Sequence, residues 1–226
     1  MIRRNFLKKI FLIGTGLIAL KMKLFANEIL KPFNLVNGVF VNNFIGHQKN
    51  FKDFWKWRKE SKRPGPISFP LAKNDPQYLQ QNKFDKTLTW VGHATFLLQI
   101  NGYNILTDPH FSKRASPLSF MGPERTTPPG LQIDDLPIID LVVISHNHYD
   151  HLDSQSIKSL IRRQKNNQPI FFVPLKLKRT LQNFGALNII EHEWWQTTQY
   201  KELEISSAPV QHWRKRSLSD TNKTLW

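Results

Sequence analysis

The segment SHNHYDHLD at residues 145–153 concentrates side chains that can bind a metal ion. His146, His148, Asp150 and His151 place three imidazoles and one carboxylate within six residues. Their lone pairs and negative charge repel one another at close range unless a cation lies between them. Imidazole and carboxylate ligands suit Zn²⁺, Fe or Mn²⁺. The segment therefore predicts a metal site, and the alternative reading is a polar surface loop that is rich in histidine.

The position of this segment directly after the apolar run DLVVIS indicates how its ligands are arranged. The run predicts a short buried strand. At the exit of that strand His146 and His148, two residues apart, can point the same way. A turn can then bring Asp150 and His151 beside them. Two ligand pairs this close predict a site for two ions, which together polarise a phosphoryl or carbonyl oxygen.

The strands and helices predicted around these ligands indicate a layered α/β domain. TLTWVGHATFLLQI and YNILTD predict strands on either side of Asn101–Gly102, a hairpin turn signal. A helix is expected from Asp153 or Ser154 to about Gln164, and LKLKRTLQNFG predicts another helix that ends at Gly185. PIFFVP, LNIIEHEWW and ELEISSAPVQHW predict further strands. Hairpins followed by strands that alternate with helices indicate layered α/β architecture.

Composition restricts the classes of partner and of chemistry. The chain has 226 residues, 40% of them hydrophobic, and a net charge of +15 at pH 7. Such a charge favours anionic partners, among them acidic lipid headgroups, phosphorylated substrates and nucleic acid. The sequence contains no cysteine, which excludes disulfides, thiolate ligands and a cysteine nucleophile.

Residues 1–26 are typical of an export signal. Arg3 and Arg4 open RRNFLK, which resembles the twin-arginine signal of bacteria, and an apolar stretch follows from Ile10 to Leu20. At eleven residues this stretch is short for a membrane span. Leu24 makes LFA a poor cleavage site, so the segment can also serve as a membrane tether. A basic amphipathic helix is the alternative. The expected location is the periplasm or the membrane surface.

Residues 27–76 predict a basic, aromatic arm and a linker. The spacing of its apolar residues favours a helix over residues 28–60, and KNFKDFWKWRKESKRPGP interleaves Lys and Arg with Phe and Trp. That mixture suits a membrane interface, or equally a solvated arm packed on the domain. The prolines near residues 64–76 place the domain boundary there, so the main domain is expected over residues 77–226.

Motifs spread over residues 90–226 resemble one known family. HNHYDH resembles the H-x-H-x-D-H motif of the metallo-β-lactamase superfamily. The longer stretches resemble the branch that contains N-acyl-phosphatidylethanolamine-hydrolysing phospholipase D and its bacterial relatives. They are WVGHATFLL, LTDPHFSKRASPLSFMGPERTTPPG, LPIIDLVVISHNHYDHLD, FFVPL, EWW and APVQHWRKRSLSDTNKTLW.

The resemblance implies an αββα sandwich, here mainly its N-terminal half, preceded by a helical N-terminal segment. It implies two zinc ions and hydrolysis of a phosphodiester, with an anionic phospholipid or another phosphodiester as substrate, a membrane surface nearby and no nucleic acid. By the same resemblance, the first metal is bound by His146, His148 and His212. The second metal is bound by Asp150 and His151, and Asp150 also orients the attacking water. Two further residues, His93 and Asp108, lie close behind these ligands. His47, His110 and His192 are read as ordinary histidines.

The family pattern continues beyond Trp226 into a second half that supplies a bridging Asp and a last His to the second metal. The sequence therefore also supports the hypothesis of a truncated reading frame that is inactive alone. A superfamily nuclease is a further alternative, since positive charge attracts nucleic acid.

Overall fold

The computed structural model describes residues 34–44, 51–61, 70–217 and 219–226. The chain divides into two units, Met1–Asn37 and Gly38–Trp226. The described part of the first unit contains one short strand, β1 (Leu35–Val36). All other described elements belong to the second unit. No helix within these described ranges is long and apolar enough to span a bilayer.

The second unit alternates strands and helices along the chain. Its helices are α1 (Phe51–Glu60), α2 (Pro76–Gln81), α3 (Ser154–Arg163) and α4 (Lys178–Asn183), with a 3₁₀ turn at Ile133–Asp135. Its strands are β2 (Val39–Phe40), β3 (Thr87–Gly92), β4 (Thr95–Ile100), β5 (Tyr103–Thr107), β6 (Leu141–Val143), β7 (Ile170–Pro174), β8 (Ile189–His192), β9 (Thr197–Tyr200) and β10 (Leu203–Ser206).

One six-stranded mixed sheet organises this unit, in the order β3-β4-β5-β6-β7-β8. β3, β4 and β5 are antiparallel, whereas β5 to β8 run parallel. β3 consequently runs in the same direction as β5 and β6. The carboxyl ends of these three strands meet at one edge of the sheet, and the segments that follow them carry His93, Asp108 and His146. The topology therefore gathers these three residues, which are distant in sequence.

Tight turns at positive φ set the register of the antiparallel strands. Asn101 (φ 52°) and Gly102 (φ 77°) join β4 to β5, as the Asn-Gly signal predicts. At the other turn, His93 has φ 52° between β3 and β4, next to a register shift between Trp90 and Gly92. Residues other than glycine seldom adopt positive φ, but asparagine, aspartate and histidine are enriched there. The β3–β4 turn therefore places His93 in a left-handed conformation that its residue type tolerates.

Both faces of the sheet bury apolar side chains. On one face the strands pack against α3 and α4, which contribute Ile157, Leu160 and Leu181, each 0% exposed. On the other face the β9–β10 hairpin places Leu203 and Ile205 against Ile105, Leu141 and Phe172. At about 25 cal/mol per Å² of buried apolar surface, these contacts supply the main driving force that holds the site-bearing loops in place.

The helix behind the metal-ligand segment begins as the sequence predicts. Asp153 caps α3, and its carboxylate accepts from the N–H of Gln155. The same carboxylate accepts from the Ser156 hydroxyl at 2.5 Å and from the Ser112 N–H at 3.2 Å. This one side chain therefore fixes the end of the segment and ties it to the loop after β5.

The prediction of a helix over residues 28–60 is correct at α1 and wrong around residues 35–40. There the chain is extended in β1 and β2, and Asn37 and Gly38 between them have φ of 49° and 79°. An Asn-Gly pair favours a tight turn, and it overrides the approximate helical spacing of the apolar residues. The predicted signal at residues 1–26 lies outside the described residues, and so do residues 64–69 of the proposed boundary near residues 64–76.

Candidate metal centre

The loop after β6 turns back on itself and brings its ligands together. The N–H groups of His151 and Leu152 both donate to the carbonyl of His148, at 3.1 and 2.8 Å. This turn carries Asp150 and His151 back toward the end of the strand. The residues that sequence spacing groups together are therefore also grouped in space.

A first cluster consists of the rings of His146, His148 and His212. Nε2 of His146 lies 2.9 Å from Nδ1 of His148 and 3.1 Å from Nε2 of His212. One ring nitrogen of each residue lies within 4.8 Å of the other two. The three predicted ligands of the first metal thus converge on one point, although His212 is far from the others in sequence.

The side chain of Asn42 holds His212 in this position through two hydrogen bonds to the His212 backbone. The Asn42 amide donates from Nδ2 to the His212 carbonyl at 2.8 Å, and its Oδ1 accepts from the His212 N–H at 3.1 Å. Both backbone groups of the ligand residue are thereby satisfied by one side chain. No motif in the sequence indicates this role for Asn42.

A second cluster consists of His93, Asp150 and His151, whose ligand atoms also lie within 4.8 Å of one another. Nε2 of His93 lies 2.9 Å from Oδ2 of Asp150, and Nε2 of His151 lies 3.7 Å from the same oxygen. The side chains of His93 and Asp150 are 49% and 38% exposed, so this cluster is accessible to solvent. His93 was expected close to the site, and it contacts Asp150 directly.

Asp108 lies behind both clusters at the end of β5. Its Oδ2 lies 2.8 Å from Nδ1 of His151 and accepts from the Ser145 hydroxyl at 2.6 Å, while its Oδ1 accepts from the Ser145 N–H at 2.7 Å. A carboxylate in this position fixes the orientation and the protonated nitrogen of a metal-binding imidazole. The Ser145 hydroxyl donates its proton to Asp108 and so accepts from Nδ1 of His146 at 2.9 Å. This inferred arrangement leaves Nε2 of both His146 and His151 as bare lone pairs.

Residues 103–226, more than half of the chain, match the Beta-lactamase superfamily domain. The chain belongs to this superfamily. Several proteins are similar to this chain in sequence. An uncharacterised protein of Mycobacterium tuberculosis is 41% identical over 172 residues, which cover 75% of this chain and 44% of the relative.

Two further relatives carry a functional name. N-acyl-phosphatidylethanolamine-hydrolyzing phospholipase D 1 of Caenorhabditis elegans is 40% identical over 147 residues, covering 61% of this chain and 41% of the relative. The mitochondrial N-acyl-phosphatidylethanolamine-hydrolyzing phospholipase D of Saccharomyces cerevisiae is 39% identical over 142 residues, covering 61% and 30%. The chain spans less than half the length of these relatives.

These findings confirm two predictions from the sequence. The resemblance to the metallo-β-lactamase superfamily is correct, and so is the mixed α/β fold class built on a central sheet. As a superfamily member, the chain is related to metal-dependent hydrolases.

Burial keeps the first cluster neutral. Burial, together with the neighbouring histidines, lowers the pKa of His146 to about 3. Burial also lowers the pKa of His148 and of His212. For His151, burial acts to lower the pKa, but the hydrogen bond and negative charge of Asp108 outweigh it and the pKa is raised. For Asp150, burial acts to raise the pKa, but the charges of His151, His93 and His148 and a backbone hydrogen bond together outweigh it, and the pKa is lowered. The first cluster thus presents neutral imidazoles beside an ionised carboxylate.

The geometry of the first cluster fits a metal of the superfamily. Ligands of a tetrahedral zinc ion at about 2.0–2.1 Å lie about 3.3 Å apart, close to the 2.9 and 3.1 Å separations of the ring nitrogens. One proton accompanies the cluster, because Nε2 of His148 accepts from the Lys215 N–H at 3.2 Å and its own proton therefore points at His146. A cation bound to Nδ1 of His148 would require this proton to move to Nε2, because an imidazole ligand is neutral and keeps one ring proton. Three imidazoles with one open position are typical of a catalytic zinc site.

The remaining histidines lie elsewhere. His192 is 2% exposed, with Nδ1 3.1 Å from the Ser207 hydroxyl and Nε2 2.9 Å from the Thr198 hydroxyl, so its polar atoms are satisfied within the core. His110 is 3% exposed and follows Asp108 by two residues. His47 lies outside the described residues. Sequence reasoning missed Ser145 and Asn42, since a single serine or asparagine beside a strand carries no distinctive pattern.

Proposed function

We propose that this chain forms the catalytic metal centre of a hydrolase that cleaves a phosphodiester. The observation that carries the proposal is the convergence of three neutral ring nitrogens, from His146, His148 and His212, within hydrogen-bonding distance of one another. Neutral imidazoles crowded in this way gain most when a divalent cation occupies their common point. Zinc is the metal we propose, because three imidazoles with one open position are typical of catalytic zinc sites.

Each group of residues has its own part in the proposed reaction. His146, His148 and His212 hold one cation, and Asp150 with His151 contributes to a second. Such cations supply a Lewis acid that polarises a phosphoryl oxygen. Asp150 is ionised and partly exposed at the edge of the clusters, so its carboxylate can accept a hydrogen bond from the attacking water and orient it. Asp108 keeps the proton of His151 on Nδ1 and so keeps Nε2 free for binding.

The proposed substrate is a phosphodiester in an anionic phospholipid. The two named relatives are called phospholipases, and the net charge of +15 favours an anionic surface. Apolar surface lies at the site, since the Trp213 ring is 54% exposed and contacts the ring of His148 with centroids 5.1 Å apart. The exposed rings of Trp55 and Trp57 on α1 stand among Lys and Arg side chains, a composition that suits a lipid interface.

The proposed location follows from the first residues of the sequence. Arg3 and Arg4 before an apolar stretch support export by a twin-arginine route, to the periplasm or to the membrane surface. A protein exported in the folded state can acquire its metal before export. This placement would bring the site to phospholipid headgroups.

Hydrolysis of bis(4-nitrophenyl) phosphate with added Zn²⁺ or Mn²⁺ tests the proposal. We expect activity in the unchanged chain and a loss of at least 100-fold in His148→Ala, because that variant removes one of three ligands. His192→Gln is the matched control, since it changes a buried histidine outside the clusters. Equal rates for the unchanged chain and His148→Ala would refute the catalytic assignment. Zinc bound without turnover would instead support an inactive remnant.

A second comparison separates the substrate classes. The chain is offered vesicles of N-acyl-phosphatidylethanolamine and, separately, DNA and RNA. We expect release of the acyl-ethanolamide product and intact nucleic acid. Cleavage of nucleic acid alone would replace the phospholipid proposal with a nuclease.

A further inference from the structure

We infer that Arg216 is a positioning residue that sets the geometry of the metal centre by joining the loop of His148 to the segment of His212. This inference rests on the proposed function, since it concerns how the proposed site is held. The two segments are distant in sequence and share no strand. Side-chain contacts between them therefore contribute to their relative position, beside the contact of Asn42 with His212.

Arg216 reaches both ends of the metal-ligand loop. Its Nη1 donates to the carbonyl of Asn147 at 2.9 Å and to the carbonyl of Leu152 at 2.8 Å. These two carbonyls enclose the stretch that contains His148, Asp150 and His151. One guanidinium group thus closes the loop from which three proposed ligands project.

A reciprocal contact strengthens this attachment. The guanidinium carbon of Arg216 lies 4.0 Å from the centre of the Tyr149 ring, and the Tyr149 hydroxyl donates to the Arg216 carbonyl at 3.0 Å. Tyr149 lies between His148 and Asp150 in sequence. The planar guanidinium can stack on the ring and donate to carbonyls at its edge at the same time, which a lysine ammonium cannot do.

The turn after His212 holds Arg216 in place. Oδ1 of Asp220 accepts from the N–H groups of Arg216 and Ser217, at 2.9 and 2.8 Å. Oδ2 of Asp220 accepts from Nη1 of Arg214, which is 1% exposed. Nε of Arg214 in turn donates to the Thr224 carbonyl at 3.0 Å. A shift of Arg216 would therefore disturb this whole turn, and with it the position of His212.

The test measures metal affinity in the metal-free full chain, by competition with a chromophoric chelator for Zn²⁺ and by the absorption spectrum of bound Co²⁺. We expect Arg216→Ala to weaken binding by about 10- to 100-fold, the loss typical of changes behind a metal ligand. Arg216→Lys should give an intermediate loss. The matched control is Arg162→Ala, which removes an exposed arginine whose side chain, among the described residues, donates a hydrogen bond only to Ser159 in its own helix. Its affinity should stay within twofold of the unchanged chain.

Adding guanidinium ion to the variant distinguishes a positioning role of Arg216 from a general loss of stability. Millimolar guanidinium ion should restore part of the lost affinity in Arg216→Ala, because it can occupy the vacated space. It should restore none in His212→Ala, which lacks a ligand. If Arg216→Ala does not fold, Tyr149→Phe removes the return hydrogen bond, and a loss of several-fold is expected there.

The outcomes discriminate between the two claims. Folded Arg216 variants, or Tyr149→Phe, that bind Zn²⁺ within twofold of the unchanged chain would overturn the role of Arg216 and leave the proposed function standing. An unchanged chain that binds no metal would overturn both.

Discussion

Oδ2 of Asp108 and Nδ1 of His151 lie 2.8 Å apart, and this contact joins the end of β5 to the loop after β6. The two residues are 43 positions apart in sequence. The carboxylate accepts a hydrogen bond from the Nδ1–H of the imidazole. The opposite ring nitrogen, Nε2, is thereby directed toward Asp150.

Asp108→Asn should weaken metal binding at His151. The asparagine side chain can place its N–H₂ group toward Nδ1 of His151, which would move the ring proton to Nε2 and block the lone pair there. We expect a loss of about 10- to 100-fold in affinity for the second metal ion, measured by zinc titration. Asp140→Asn is a suitable control, because Asp140 accepts from the Asn104 N–H at the opposite edge of the sheet. A second-site affinity equal to that of the control would contradict this role.

His93→Asn should separate activity from stability. Asparagine adopts positive φ readily, so the turn at φ 52° should survive and the free energy of unfolding should change by no more than about 0.5 kcal/mol. The shorter side chain cannot reproduce the 2.9 Å contact with Asp150, so phosphodiester hydrolysis should fall. Urea denaturation and initial rates measure the two effects. Unchanged rates in a stable variant would show that His93 has no part in the reaction.

The metal-free chain should lose stability on acidification. A histidine in the unfolded chain titrates near pH 6.5, whereas burial lowers the pKa of folded His146 to about 3. Between these values the unfolded state binds more protons, so the free energy of unfolding falls as the pH falls. His151 acts in the opposite sense, because its raised pKa stabilises the fold at low pH and that contribution is lost as the pH rises through the folded value.

In this site three histidines, His146, His148 and His212, have a lowered pKa, and one, His151, has a raised pKa. We therefore expect the free energy of unfolding to fall as the pH falls. Urea denaturation with a chelator at pH 7, 6 and 5 measures it. His146→Gln should show a shallower dependence on pH. Stability that rises from pH 7 to pH 5 would be inconsistent with neutral, buried rings.

Asp153→Ala should destabilise the fold. The substitution removes the cap of α3 and the acceptor for the Ser156 hydroxyl and the Ser112 N–H, so we expect a cost of about 1–3 kcal/mol. Asp153→Ser retains a capping oxygen and should cost less. Thermal or urea denaturation provides the comparison, and equal stability of the alanine and serine variants would argue against the capping role.

The sequence predicted the local elements well wherever one short-range signal dominates. Asn101–Gly102 forms the hairpin turn, Asp153 caps α3, and the chain has positive φ (98°) at Gly185, after α4. It predicted poorly where two local signals compete. At residues 35–40 the Asn-Gly turn prevailed over helical spacing, because backbone conformation at positive φ cannot continue a helix.

The sequence by itself determined the metal-binding character of this protein. The spacing of His146, His148, Asp150 and His151 behind an apolar strand is local, and a single turn suffices to gather these ligands. The family resemblance named the distant residues His93, Asp108 and His212, and only the tertiary structure decided how they are held beside the cluster. The sheet order brings Asp108 and His93 to the same edge, and the contacts of Asn42 and Arg216 place His212 beside His146. Such contacts depend on strand direction and on packing across long sequence separations, which no short-range pattern in the sequence encodes.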